Sequence, residues 1–305
     1  MRSIPDLLGE KGDWRLVITD SGLGGLSICA ELEKWLRRAA GDKAIRLIFV
    51  NAWPTSGRGY NDLPDVASRA AVLDKALTAM TGFRPGLILI ACNTLSVLYE
   101  STEFRRAPMV PVVGIIEEGV DLFHDALTRE PGSALALFGT RTTIESGEHV
   151  RRLIRRGIDP QRLFAVACHG LAGAIDKAPD ASGVAEQIEE CVSRVVREIK
   201  VEGRFYAGLC CTHYSYVAEN FRTSLTRRMG ARVEILDPGV RLVGSLTSGM
   251  EERKPEDGEA DITMEVVSKV ELTDAQRRAV ARRLEPVSAR AAQALIEYAH
   301  APELF

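Results

Sequence analysis

Two cysteines stand where a sequence of this kind places reactive groups. Leu87-Ile88-Leu89-Ile90 is a run of four aliphatic residues behind Pro85-Gly86, and it ends in Ala91-Cys92-Asn93-Thr94. Such a run reads as a strand buried on both faces, as in a parallel sheet. Ligands of open α/β sheets lie outside the carboxyl ends of the strands, which puts Cys92 where a ligand is expected. About one domain's length further on the arrangement returns, as Phe205-Tyr206-Ala207-Gly208-Leu209 followed by Cys210-Cys211-Thr212-His213. Both Cys92 and Cys211 precede an expected helix start. A helix N-terminus favours thiolate and can bring a cysteine pKa of roughly 8.5 down into the working range. Either cysteine alone would serve equally as a small buried apolar group. It is the pair that points to sulfur chemistry, with the rest of the chain bringing Cys92 and Cys211 face to face.

Other residues invite chemistry less strongly. Asp20 closes the apolar run Leu16-Val17-Ile18-Thr19 and opens the glycine-rich turn Ser21-Gly22-Leu23-Gly24-Gly25-Leu26-Ser27. The spacing is not that of a dinucleotide fingerprint, and no lysine follows as in a P-loop. The glycines still permit close backbone approach to an anionic ligand at a helix N-terminus. Asp20 is then either a ligand contact or simply the cap of the following helix. Cys168, His169, Cys210, Cys211 and His213 could be read as zinc ligands, but no Cys-x-x-Cys spacing supports it. His213 could hydrogen-bond near the Cys211 thiol, or be a satisfied, partly buried imidazole.

The elements that must hold these residues follow a repeated order. Strands at 16–20, 45–50, 87–90 and 110–118 alternate with helices at about 26–38, 65–80 and 94–103. The pattern restarts with strands at 134–140, 163–168, 205–211 and 233–237 and helices at about 144–156, 183–201 and 217–229. This is the grammar of βαβ units with right-handed crossovers. Residues 1–13 read as a loose leader, 242–250 as a helix, 251–261 as an exposed charged insertion, 262–270 as an edge strand, and 273–300 as one or two amphipathic helices. The expected fold is therefore α/β, two pseudo-symmetric parallel-sheet lobes with the active site in the cleft between them. Residues 1–113 with 236–305 would form the first lobe, and 114–235 the second.

Composition narrows the class. With 305 residues, 46% hydrophobic, 27% charged and a formal net charge of −3, the chain is neither disordered nor basic enough for a nucleic-acid footprint. No apolar run approaches the roughly 18 to 20 residues of a membrane span, and no secretory signal opens the chain. The six cysteines should then be reduced thiols in a cytoplasmic protein.

Several segments together resemble the signature segments of the glutamate racemases, in the cofactor-independent aspartate/glutamate racemase superfamily. They are Asp20-Ser21-Gly22-Leu23-Gly24-Gly25-Leu26, Ala91-Cys92-Asn93-Thr94, Val113-Gly114-Ile115-Ile116-Glu117 and Cys211-Thr212-His213-Tyr214. Phe138-Gly139-Thr140 with Thr143-Ile144 and Ser146-Gly147, and the strand ending at Asp237, follow in the same order. The resemblance implies that Cys92 and Cys211 are bases on opposite faces of a substrate Cα, assisted by Asp20 and His213. Inversion at Cα without a cofactor needs one group to remove a proton and another to deliver one, and two thiols that exchange roles meet that need. Ser21, Asn93, Thr94 and Thr212 can hydrogen-bond the α-carboxylate as charge builds on it. By the same resemblance Thr140 and Thr143 line the pocket, and Asp176 lies near a family acid. No metal or other cofactor is implied; the partner is a small acidic amino acid, with neither nucleic acid nor membrane, and a homodimer is compatible with it. The product would be D-glutamate for peptidoglycan.

The loop Asn51-Ala52-Trp53-Pro54-Thr55-Ser56-Gly57-Arg58-Gly59-Tyr60-Asn61 departs from the family's Asp-x-x-x-x-Pro-Tyr-Gly. Gly59 and Tyr60 can do a similar job there. Arg58 is an added cation, a distal-carboxylate fork or an exposed loop side chain. His149 stands where the family has tyrosine, and Glu118 is also unusual. These departures bear on the side-chain pocket, so aspartate, or a related isomerase or decarboxylase, stays open beside glutamate. A two-lobed binding protein and a metal-dependent hydrolase are the readings from other classes.

Overall fold

The computed structural model describes residues 3–9, 13–178, 180–196, 203–229, 232–252 and 258–305. Among them ten strands occur in chain order: β1 (Trp14–Asp20), β2 (Ala44–Asn51), β3 (Leu87–Ile90), β4 (Val112–Gly114), β5 (Ala134–Gly139), β6 (Leu163–Ala167), β7 (Phe205–Cys210), β8 (Val233–Leu236), β9 (Asp261–Ser268) and β10 (Ala299–His300). They form two sheets, ordered β10-β9-β2-β1-β3-β4 and β6-β5-β7-β8. Every neighbouring pair in both is parallel.

The continuous aliphatic runs follow from burial on both faces. Along β1, Leu16 and Ile18 enter one core while Val17 between them enters another. Helices Leu26–Ala39 and Pro238–Leu246 pack on the first face, and Val66–Met80 and Asn93–Tyr99 on the second. In the smaller sheet, helices Ser182–Val196 and Ala218–Met229 cover one side, and Ile116–Arg129 and Glu148–Arg155 the other. Each fully buried Leu or Ile contributes about 1.5–3 kcal/mol relative to exposure, so the central strands are firm supports for whatever their ends carry.

Several expected boundaries move. The leader is not loose where it is described: Ile4–Leu8 is a helix capped by Ser3, and Ile4 is fully buried in the first core. The strand expected through 118 stops at Gly114, because Ile116, Val120, Phe123 and Leu127 are the buried stripe of a helix that the apolar run concealed. One expected helix at 144–156 is two, Arg141–Ser146 and Glu148–Arg155, divided by Gly147 at φ +64°. The helix expected at 94–103 is likewise Asn93–Tyr99 followed by Glu103–Arg106. β9 is not the edge, since the chain returns after helices Asp274–Leu284 and Ala289–Ile296 to lay β10 beside its end. The helix expected at 242 begins at Pro238, where the Asp237 side chain caps it. Of the 251–261 insertion, 253–257 lie outside the described residues, Glu251, Glu252, Gly258 and Glu259 are exposed, and Ala260 is buried. Among the described residues no helix is long and apolar enough to cross a membrane.

Candidate active site

Strand register assembles the site. β1 and β3 are neighbours with Thr19 opposite Ile90, so their ends present Asp20-Ser21 beside Ala91-Cys92. β5 and β7 are neighbours with Gly139 opposite Cys210, so Thr140 stands beside Cys211. Cys92 and Cys211 both line one cavity of about 190 Å³, together with Ser21, Tyr60, Asn93 and His213. Both thiols are buried, at 5% and 6% exposure. The strand ends of two separate sheets thus deliver two sulfurs to one small space.

The Cys92 side is a carboxyl and hydroxyl environment. Ser21 Oγ lies 3.2 Å from Cys92 Sγ. Burial pushes the Cys92 thiol up and the neighbouring Asp20 charge adds to it; hydrogen bonds from Ser21 and from the backbone offset only part. This corrects the expectation of a lowered pKa: Cys92 is the N-cap of a short helix, yet desolvation outweighs that dipole. Burial likewise raises the Asp20 carboxyl, against the lowering effect of His213 and of Thr212. Asp20 does not cap the next helix, Leu26–Ala39, whose N-cap position is Gly25 with no side-chain cap hydrogen bond. Its Oδ2 instead accepts a 2.7 Å hydrogen bond from Thr212 Oγ1, a residue of the other sheet's loop. The buried Tyr60 hydroxyl has no protein partner, and its pKa is raised by burial and then by Cys92.

The Cys211 side is an imidazole environment. Here the chain turns into the 3₁₀ stretch Thr212–Val217 rather than an α-helix, so the expected helix N-terminus is missing. His213 Nδ1 lies 3.6 Å from Cys211 Sγ, and His213 Nε2 lies 2.9 Å from Asp176 Oδ1. The second contact is an ion pair rather than an aligned hydrogen bond. Burial alone would lower the His213 pKa, but Asp176 and the Cys211 sulfur together hold it well above the usual value. The surroundings of His213 thus favour its protonated form beside Cys211.

The glycine-rich turn is explained by the same junction. A Cβ on Gly24 would stand 2.5 Å from Thr212 Oγ1 and 2.6 Å from the His213 nitrogen. The close approach foreseen for an anionic ligand is made instead by the other sheet's loop.

The remaining predicted residues divide into lining and supporting groups. Asn93, Thr94, Thr140, Gly59 and Tyr60 line the cavity. Asn93 is 1% exposed, and neither its amide oxygen nor its nitrogen has a protein partner. Thr94, Thr140 and Thr143 form a hydroxyl triangle with edges of 2.8, 3.0 and 3.1 Å. Thr143, Thr212 and Asp20 stand behind the cavity wall rather than on it. Arg58 is exposed and off the cavity. His149 is also elsewhere, 6.0 Å from the Phe123 ring, its pKa pushed down to about 4 by burial and then Arg152. Glu118 is buried, accepting from Ser245 Oγ. Of the zinc donors considered above, Cys168, His169, Cys211 and His213 line the cavity and Cys210 faces a different core, and among the described residues no three of His, Cys, Asp or Glu are grouped to hold a metal ion. Sequence reasoning missed Trp53, Asn61 and Arg141 as lining residues. Only the position of Arg141 directly after Thr140 could have signalled its place.

The chain matches the sequence model of the family described as Asp/Glu/Hydantoin racemase over residues 17–246. It is 25% identical over 207 residues to a glutamate racemase of Leptospira borgpetersenii, covering 68% of this chain and 72% of that protein. It is 26% identical over 237 residues to a glutamate racemase of Aquifex pyrophilus, covering 76% and 82%. Among solved structures, a glutamate racemase from Campylobacter jejuni superposes with a TM-score of 0.67 at 19% identity, over 89% of this chain and 98% of that one. A glutamate racemase from Francisella tularensis in complex with D-glutamate gives 0.63 at 18% identity, over 95% of each chain.

Proposed function

Because the chain belongs to the Asp/Glu/hydantoin racemase family, we propose that it interconverts L- and D-glutamate without a cofactor, using Cys92 and Cys211 as opposed acid and base. The observation that carries this reading is the pair of buried thiols on one cavity, each brought by a different sheet and each with its own polar neighbour. The lobes we assign are residues 1–113 with 236–305, and 114–235, one thiol to each.

The chemistry follows from the neighbours. His213, whose pKa Asp176 and the Cys211 sulfur hold up against burial, places a proton donor beside Cys211, while burial and Asp20 favour Cys92 as the neutral thiol. In that state Cys211 takes the Cα proton from one face and Cys92 delivers its proton to the other. The reverse reaction starts with the roles exchanged. Negative charge developing on the α-carboxylate needs donors already in place, and the unpartnered Asn93 amide and the Ser21 hydroxyl are suited to it. The product D-glutamate fits a role in supplying bacterial peptidoglycan.

Incubation with L-glutamate and separately with L-aspartate, followed by circular dichroism, tests the reading. Decay of the glutamate signal to zero is expected. Decay with aspartate alone would reassign the substrate, and decay with neither, together with no exchange of the Cα proton in deuterated solvent, would overturn the racemase reading.

A further inference from the structure

The cavity holds more charge than exchange at Cα requires. The reacting end is supplied by the two thiols and by the buried, unpartnered Asn93 amide. Arg141 also lines the cavity and is half-buried. Among the described residues it has neither a hydrogen-bond partner nor a carboxylate at ion-pair distance. The carboxylates lining the same space are already engaged: Asp176 pairs with His213 at 2.9 Å, and Asp62 Oδ2 accepts from the Gly59 nitrogen at 2.8 Å. A guanidinium at a partly enclosed site with no protein counter-charge is set for an anionic ligand.

The backbone at Arg141 is pinned on both sides. Thr140 Oγ1 lies 2.8 Å from Thr94 Oγ1, next to Asn93. Thr142 donates to Asn61 Oδ1 through both its nitrogen, at 2.9 Å, and its hydroxyl, at 2.8 Å. One hydroxyl contact therefore links the residue after Asn93 to the residue before Arg141. The amide and the guanidinium line the same cavity, so one bound molecule is offered both.

We propose that Arg141 is the specificity-determining residue of this site, its guanidinium binding the distal carboxylate of the substrate and so restricting turnover to dicarboxylic amino acids. The inference rests on the racemase reading and adds the group that reads the side chain. Arg58, the other candidate cation, is exposed in its loop and does not reach the cavity. Arg141 touches no reacting atom in this scheme, so its removal acts on binding.

The test compares wild type with Arg141→Met, Arg141→Gln and Arg141→Lys. Racemisation of L-glutamate is followed by circular dichroism, and Cα proton exchange of L-glutamate and L-glutamine by NMR in deuterated solvent. The Met and Gln variants should raise KM for glutamate by roughly 10- to 100-fold with kcat within a few-fold. Their preference for glutamate over glutamine should fall by the same factor, and Lys should restore part of both. Unfolding midpoints close to wild type would show that the variants are folded. An unchanged KM and an unchanged glutamate preference in all three would overturn the assignment, as would a wild type that exchanges glutamine as readily as glutamate. A wild type inert toward glutamate and aspartate alike would instead remove the racemase reading, and this assignment with it.

Discussion

Cys92 and Cys211 occupy equivalent places in two parallel sheets, just past the end of a strand buried on both faces, yet their surroundings differ in kind. Cys92 has Ser21 and a buried carboxyl, Asp20; Cys211 has an imidazole, His213, whose pKa Asp176 holds up against burial. The backbone plan repeats while the proton chemistry does not. A symmetric reaction at Cα does not require symmetric partners, only two sulfurs able to hold the two protonation states in either order. The difference predicts that the two sides fail differently when altered.

The largest effect should come from the sulfurs themselves. Cys92→Ala and Cys211→Ala should each reduce racemisation by about 10³-fold or more, seen by circular dichroism. Each should retain Cα proton exchange of one enantiomer only, and of opposite enantiomers in the two variants. Loss of the same enantiomer in both would break the assignment of opposite faces.

Next comes the charged pair behind Cys211. A raised histidine pKa stabilises the folded state fully below its unfolded value of about 6.5, and the benefit fades as pH rises through the folded value. Asp176→Asn should therefore cost about 3 kcal/mol in urea unfolding at pH 6, and progressively less at alkaline pH. A pH-independent loss would mean that Asp176 only fills space.

Asp20 shares that sign of pH dependence, but its removal should change stability in the opposite direction. Its raised pKa means that folding favours the neutral acid, so the stability tied to it is fully present below about pH 3.9 and declines as pH rises through the folded value. Asp20→Asn keeps an acceptor for Thr212 and removes the buried charge. Thermal unfolding at pH 8 should show a gain of about 1 kcal/mol, while kcat falls by about 10²-fold. A loss of stability would show that the Thr212 bond outweighs the burial of charge.

Smallest is the contact that closes the cavity from the Cys92 side. Asn61→Ala removes the acceptor for Thr142, worth about 1 kcal/mol, and should raise KM for glutamate a few-fold with little change in kcat. An effect on kcat as large as that on KM would mean that the latch positions the thiols as well.

Much of this was legible in the sequence because burial on both faces writes itself as aliphatic runs. Leu87–Ile90 and Phe205–Leu209 located both sulfurs, and the alternation of elements located the sheets. What escaped was set by contacts between distant segments. The Ile116–Arg129 helix was hidden because its apolar stripe abuts the β4 valines. Cys92 was expected to be lowered by its helix, but enclosure by the rest of the fold decides its proton affinity, and no local spacing reports enclosure. Asp176 was only weakly indicated, since its partner His213 lies on a different element. Arg141 went unnoticed because a cation gains meaning there only from the lack of a counter-charge around it.

The hydrogen bond from Thr212 to Asp20 bears on inheritance. Cys211, Thr212 and His213 are consecutive, but the middle residue serves the sulfur that belongs to the other sheet. Three adjacent codons thus bear on both sides of the proposed reaction. Replacing the middle residue alone, as Thr212→Val, would keep the Cys211 thiol and leave Asp20 without its donor. Each sheet carries one thiol, and this bond ties the surroundings of one to the residue beside the other.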